Sequence, residues 1–521
     1  MNKLNFPAFG ETEFYKSREN ETAAVTVIQN ADPSAFCAYC DLLEKNGYRK
    51  REARSRETHE YAAFQKGDEA VFLNYFGSVC ELYVAEESEC RYFEFSDAAR
   101  DASVSTTLTQ MDLADFGMSY VIRLSDGRFI VIDGGRDFEI DREKLYDQLT
   151  KTSPYEKPVV AAWILTHPHS DHFHLFVSFM KQYGDEIEVE KVMFHFPDCN
   201  DPVRYPKNAK SDKRFDYNTS AVVWVPMMME EVQRSGAAVY HPRTGQTYQI
   251  GNASLEFLVC MDDTMHTSDK VNATSPVIRM ELEGQIILFG TDAAFSSAKL
   301  SQKYGSYLKA DILQIPHHGF QSGDSDGEIS GYRCIKPRVC LLPASYYDAF
   351  TAFGAHRKGT SFLMSEAGVE ELITGSRRRT LTIPYTPDES GKPALEKAYR
   401  AGQSACGATT WVFTGLNTEN SEDFEFTLLN MTHISPDVWI ELFFESKDNC
   451  IRHIKATASP LAMTKLSIVG EAVDPDALYF NWISLKKQGI PENTDFSVRF
   501  ISDVPLVVSH KKHQATYTSS F

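Results

Sequence analysis

The sequence predicts an α/β chain of three parts: a small α+β domain over 1–100, a central α/β domain over 101–395, and an antiparallel β-sandwich over 396–521. Three observations lead there. The central third repeats one pattern, an apolar strand that ends in histidine or aspartate. Ahead of it stand one capped helix and a hairpin signal. Behind it come short alternating strands separated by Asn, Asp, Pro and Gly.

In the first part, AVTVIQN reads as a strand and DPSAFCAYCDLLEKNG as a helix. Asp32 caps that helix, Pro33 suits its first turn and Gly47 its end. Cys37 and Cys40 then lie three apart on one face beside Phe36 and Leu43, a core pair rather than a metal or redox pair, since no second CxxC follows. EYAAFQKGDEAVFLNYF predicts a hairpin across Gly67-Asp68, and CELYVAEE a further strand. No catalytic constellation occurs here, so the domain is expected to be a lid, a dimer element or a partner surface.

In the central part, MSYVIRLSDGRFIVIDGG (118–135) gives two strands around Asp126-Gly127 that end at Asp133. AAWIL is a buried strand, and HLFVSFMKQYGDE a helix stopped by Gly184. Between them, ILTHPHSDHFH sets His167, His169, Asp171, His172 and His174 into eight positions. Neutral imidazoles and a carboxylate at this density suit a divalent ion such as zinc, whereas a core rarely tolerates them unpaired. The plain alternative is a solvated, His-rich loop. His167 and His169 share one face of an extended segment, while Asp171 and His172, past the turn, address a second position. The spacing therefore suggests two metals. Downstream, QIILFGTDA (285–293) delivers Asp292, and DILQIPHHG (311–319) delivers His317 and His318.

THPHSDH, with these flanking motifs in order over about 105–385, resembles the metallo-β-lactamase superfamily, whose fold is an αβ/βα four-layer sandwich. The pair GTDA and PHHG resembles most the subgroup of DNA-uptake competence proteins and phosphorylcholine esterases. The resemblance implies that His167 and His169 bind one metal, that Asp171, His172 and one of the histidine pair bind a second, and that Asp292 bridges. It gives Asp133 a supporting role and Asp171 a catalytic as well as a ligating one. Alternation sends His317 and His318 to opposite sides. His317, directly behind the strand, is expected as the ligand, and His318 as proton donor or substrate contact. A further histidine that completes the first metal in many members has His195 and His266 as candidates here, with water as the alternative. Phe173 and His174 replace the family's small residues, so Phe173 is expected to narrow the pocket and His174 to face solvent. Two divalent ions about 3.5–4 Å apart, expected to be Zn with Mn or Fe as alternatives, bridge a water and yield hydroxide at neutral pH. No G-x-S-x-G elbow, Walker loop or G-x-G-x-x-G run is present.

The net charge of −19 opposes nucleic acid and favours a small phosphodiester or ester substrate. Arg49, Lys50, Arg51, Arg54 and Arg56, and separately Arg377, Arg378 and Arg379, read as solvated faces. With no apolar leader, no long apolar run and ten scattered cysteines, a cytoplasmic protein outside the membrane is expected. From ATTWVFTG onward, six strands predict the sandwich, the last two being FSVRFISD and PLVVSH. DFSVRFISDVPLVVSHKKH resembles the final strands of small oligomeric β-sandwiches of the sensory-rhodopsin transducer family; the sandwich is expected to bind a carbohydrate or to form a homo-oligomer, and the N-terminal domain is the other candidate oligomer interface. Two functions follow: a binuclear metal-dependent hydrolase acting through a bridging hydroxide, or a metal-binding or sensing protein on the same fold.

Overall fold

The computed structural model describes residues 14–18, 23–115, 117–198, 217–261, 271–296, 298–319, 325–344, 369–375, 377–387, 408–417, 424–430, 437–444, 451–458, 462–469, 482–484, 494–512 and 515–517. Two compact units divide the chain, 1–344 with 353–386, and 345–352 with 387–521.

The first unit opens with an antiparallel sheet of β1 (Phe14–Arg18), β2 (Ala23–Gln29), β3 (Arg49–Ser55), β4 (His59–Lys66), β5 (Glu69–Phe76) and β6 (Glu81–Glu87), in the order β1-β2-β6-β5-β4-β3. Helix α1 (Pro33–Lys45) starts where expected, because Asp32 accepts from the Ser34 backbone N–H at 2.7 Å. It buries Tyr39, Cys40 and Leu43 against Phe64, Leu73 and Val84 of the sheet. Cys37 is exposed, so the two cysteines do not share the buried face. β4 and β5 form the expected hairpin across Gly67-Asp68, with Gly67 at a left-handed φ of 61°.

A second sheet runs β13-β12-β10-β9-β8-β7-β21, built from β7 (Thr107–Gln110), β8 (Ser119–Arg123), β9 (Phe129–Asp133), β10 (Val159–Ile164), β12 (Lys191–Met193), β13 (Ala238–Tyr240) and β21 (Arg379–Thr382), with the short β11 (Glu188–Val189) beside β10. Helices α2 (Glu139–Thr152), α3 (Ser170–Tyr183) and α4 (Tyr217–Ser235) cover one face. Leu145 and Leu149, then Phe173, Phe176 and Met180, then Met228 and Val232, pack there on Phe129, Val131 and Trp163. Phe173 is therefore a core residue and does not narrow a pocket. The helical period of 3.6 and the strand period of 2 made both faces legible in advance.

A third sheet runs β14-β15-β16-β17-β18-β19-β20: β14 (Thr247–Ile250), β15 (Ala253–Val259), β16 (Val277–Leu282), β17 (Gln285–Phe289), β18 (Ile312–Gln314), β19 (Val339–Leu342) and β20 (Glu371–Thr374). Tyr120 of β8 meets Phe289 of β17 edge-on at 5.5 Å, so the second and third sheets face each other.

The N-terminal sheet docks on the third. Asn74 donates to the Thr244 carbonyl at 2.8 Å, Arg56 pairs with both oxygens of Glu256 at 2.7 and 3.0 Å, and Arg54 donates to the Gly245 carbonyl. Arg49, Lys50 and Arg51 are exposed as expected, but Arg54 and Arg56 belong to this seam.

The second unit has its own core, with Phe426, Leu428, Ile440, Leu442, Val498 and Phe500 fully buried. Its strands are β22 (Ala408–Asn417), β23 (Phe424–Asn430), β24 (Asp437–Phe444), β25 (Ile451–Thr457), β26 (Ala462–Val469), β27 (Trp482–Ser484), β28 (Asp495–Lys512) and β29 (Ala515–Tyr517), all in one hydrogen-bonded sheet. The two strands expected at the end are one, β28, which pairs β24 through Phe496–Ser502 and β23 through Leu506–Lys511. Asp503 and Pro505, read as a break, instead mark where the partner changes. β25, which sequence reading passed over, pairs β24.

Candidate metal centre

The candidate residues gather at the carboxyl ends of strands and on the first turn of α3, which carries Asp171 and His172. Asp133 closes β9, His167 follows β10, Asp292 follows β17, and His317 and His318 follow β18. Backbone groups are spent inside the sheets, so side chains and loop amides are what a ligand meets at this edge.

Asp133 organises the region. At φ 56° it occupies the left-handed region, and Gly134 and Gly135 after it donate to the His172 carbonyl at 2.8 and 3.0 Å. This draws the first turn of α3 against the end of β9. Gly135, at φ 93°, needs a conformation that side chains rarely adopt. The Asp133 carboxylate accepts from the Thr166 N–H at 2.8 Å, the Thr166 hydroxyl at 2.7 Å and His172 Nδ1 at 2.7 Å. Since the Thr166 hydroxyl proton goes to Asp133, its oxygen is left to accept from His167 Nδ1 at 3.1 Å. Thr166 was in the quoted motif, yet only contact geometry marks it as support for His167.

Two groups of ligand atoms result, each within 4.8 Å: His167, His169 and Asp292, and Asp171, His172 and His318. Asp292 Oδ2 lies 3.7 Å from His167 Nε2 and 3.3 Å from His172 Nε2, and its Oδ1 lies 3.6 Å from His318 Nε2. It thus faces both groups. The structure brings His318, and not the expected His317, into the second group. His318 is buried, with Nε2 at 3.2 Å from both His172 Nε2 and Asp171 Oδ2. His317 is partly exposed and turned aside, its Nε2 at 2.8 Å from Asn272 Nδ2. Both residues have left-handed φ, 48° and 52°, so strand alternation does not carry through the turn.

His195 is in neither group; its Nδ1 lies 2.9 Å from the Pro242 carbonyl, a distance that makes it the donor. His266 lies outside the described residues. His174 does not face solvent freely but stacks on Trp224 at 3.9 Å. Asn272 and Pro343, which accepts from His318 Nδ1 at 2.9 Å, were missed. Neither carries a motif, because the one acts through its side chain from another loop and the other through its carbonyl.

The donor set fits a cation. His172 donates Nδ1–H to Asp133 and His318 donates Nδ1–H to the Pro343 carbonyl, so both Nε2 atoms face inward, 3.2 Å apart. Two neutral rings at that distance would set lone pair against lone pair, so a proton or a metal ion must sit at one of them. Asp171 Oδ1 and Asp292 Oδ1 are buried with no hydrogen-bond partner among the described residues, an expensive state for a carboxylate without a cation. Without an ion, protons take that place. Burial is the largest single influence on His172 and His318 and opposes their charge. The surrounding carboxylates, Asp292 foremost, outweigh it and raise both pKa values. Burial lowers His167 well below its ordinary value and His169 to about 4, which keeps both neutral as ligands must be. Burial works against ionisation of Asp171 and Asp292, but His172 and His318 hold both carboxyls below the usual range.

Residues 113–226 match the model of the metallo-beta-lactamase superfamily. No curated protein matches the chain. Among solved structures it is similar to Igni18, a novel metallo hydrolase from Ignicoccus hospitalis KIN4/I, at 9% identity over 53% of this chain and 99% of that one, with a TM-score of 0.31. A beta-lactamase domain protein from Burkholderia ambifaria aligns at 14% identity over 38% and 56%, with a TM-score of 0.22. The Anabaena sensory rhodopsin transducer aligns at 20% identity over 22% and 91%, with a TM-score of 0.16. Among the described residues, no helix is long and apolar enough to cross a membrane. The sequence match, which spans Asp133 and the whole His167–His172 run, identifies a metallo-beta-lactamase superfamily domain in this chain.

Proposed function

We propose that this chain is a binuclear metal-dependent hydrolase of a small phosphodiester or related ester, built as an αβ/βα four-layer sandwich. Its motifs point to the subgroup of competence proteins and phosphorylcholine esterases. The observation that carries the reading is the convergence, in one buried space, of two imidazole Nε2 atoms and two carboxylate oxygens that have no hydrogen-bond partner among the described residues. His167 and His169 would hold one divalent ion, Asp171, His172 and His318 the other, and Asp292 both. When bound, such ions lower the pKa of a water between them and supply a nucleophile at neutral pH.

The chain's own part is orientation. Asp133 fixes the His172 ring through Nδ1, Thr166 that of His167 and the Pro343 carbonyl that of His318, so three Nε2 atoms point inward before any ion arrives. His317, at the partly exposed rim, is the protein group left to meet substrate. The charge of −19 favours a small substrate over a long polyanion.

The second reading is a metal-binding or sensing protein without turnover. It is favoured by the first group, which among the described residues holds two imidazoles and one carboxylate. Metal analysis of the purified chain, with hydrolysis of bis-p-nitrophenyl phosphate, separates the two. About two equivalents of Zn, Mn or Fe with turnover is expected, and Asp292→Ala is expected to abolish turnover and lower the metal content. Metal without turnover on any ester tested supports the second reading. A chain that takes up no added metal overturns both.

A further inference from the structure

His317 and His318 are adjacent in sequence, yet only one enters the His/Asp groups. Distance alone does not explain this. His317 Nε2 is 4.0 Å from Asp292 Oδ2, close enough for a modest ring rotation to add it to the set. What stands in the way is Asn272, whose Nδ2 lies 2.8 Å from that same nitrogen.

An amide nitrogen only donates, so His317 Nε2 accepts and the ring proton resides on Nδ1. That nitrogen is thereby held by an amide outside the His/Asp groups, whereas the contact of His167 Nε2 with His169 Nδ1 at 2.9 Å lies within one of them. This amide orientation leaves Asn272 Oδ1 buried with no hydrogen-bond partner among the described residues. Turning the amide over would bury two N–H donors there in place of one oxygen. Asn272 is itself held firmly. It lies in the 3-10 turn Val271–Thr274, whose Val271, Ala273 and Thr274 are buried. Its carbonyl accepts from the Ser275 N–H at 3.1 Å. On the other side, the His317 N–H donates to the Thr291 carbonyl at 2.7 Å, next to Asp292.

We infer that Asn272 is a positioning residue that caps Nε2 of His317, excludes this histidine from the ion's ligand set and keeps it at the rim for substrate. The inference rests on the metal centre proposed above.

The test adds Co(II) to the full-length chain and to Asn272→Ala, His317→Ala and the double variant, and records the visible absorption of the bound ion. Removal of the cap is expected to bring a further imidazole onto cobalt in Asn272→Ala, shifting the bands. The double variant is expected to lose that shift, and His317→Ala alone to match the wild type. An Asn272→Ala spectrum identical to wild type overturns the inference, as does a changed spectrum in His317→Ala, which makes His317 a ligand already. If Asn272→Ala does not fold, Asn272→Ser takes its place in the same comparison, with the same outcomes. A wild-type chain that takes up no cobalt overturns the metal centre itself, and this inference with it.

Discussion

At the scale of single residues, the centre depends on tautomers. Asp133 accepts from both Thr166 and His172, so Asp133→Asn must set an amide N–H against one of those donors. Asparagine tolerates the left-handed φ of 56° found at this position, which leaves the backbone path intact. The expected outcome is a metal affinity lower by about 10- to 100-fold with an unchanged circular dichroism spectrum. Titration of the apo protein with Zn(II) against a chelating dye checks it, and wild-type affinity would mean that His172 keeps its tautomer without Asp133. Most residues of the site were legible because imidazole and carboxylate are costly in a strand-end loop unless they serve an ion. The exchange of His317 for His318 was not legible. Two successive left-handed residues break the strand alternation, and a lone sequence carries no sign of them.

At the scale of elements, the helices and strands followed from period and capping, while the close approaches between them did not. Gly117 illustrates this. A Cβ added there would stand 2.8 Å from the Asp171 carbonyl oxygen, a contact with backbone that has little room to yield. The next residue, Met118, donates its N–H to that same carbonyl at 3.1 Å. Gly117→Ala is therefore expected to push the first turn of α3 away from β8, costing about 1–3 kcal/mol as overpacking does. Metal affinity should fall as well, since Asp171 and His172 ride on that turn. Thermal melts with and without Zn(II) measure both effects; a variant as stable and as tightly binding as wild type would show that the loop absorbs the methyl. β28 gives the complementary lesson. Asp503-Val504-Pro505 is a turn signal by composition, but pairing with β24 before it and β23 after it keeps the strand continuous.

At the scale of the whole molecule, the N-terminal sheet is joined to the third sheet through buried polar groups, and one of them makes the join pH-dependent. Asn74 donates to the Thr244 carbonyl, which turns its Oδ1 to accept from His59 Nε2 at 3.0 Å. Burial foremost, with Arg56 and Arg54 nearby, lowers the His59 pKa from 6.5 to about 4, against the opposing hydrogen bond to Asn74. Between those values the unfolded chain binds the proton and the folded chain does not. The contribution is therefore full above about pH 6.5 and is lost as pH falls towards about 4. From about pH 7.5 to about pH 5 the loss is on the order of 2 kcal/mol. His59→Gln, which retains an N–H for Asn74, is expected to lose about that much less over the same interval in urea unfolding. Equal losses in the two proteins would remove His59 as the cause.

The sequence by itself determined which stretches are strands and helices, that His and Asp gather where strands end, and that the gathering suits divalent ions. These are local matters, set by side-chain period, capping chemistry and the cost of unpaired polar groups. Only the tertiary structure decided which histidine of the pair faces Asp171, what supports each ring, and where the N-terminal sheet rests. Those outcomes depend on residues as distant in sequence as Asn272 and His317, or Asn74 and Thr244, meeting within about 3 Å, and such meetings are fixed by how sheets close on one another rather than by any single stretch of chain.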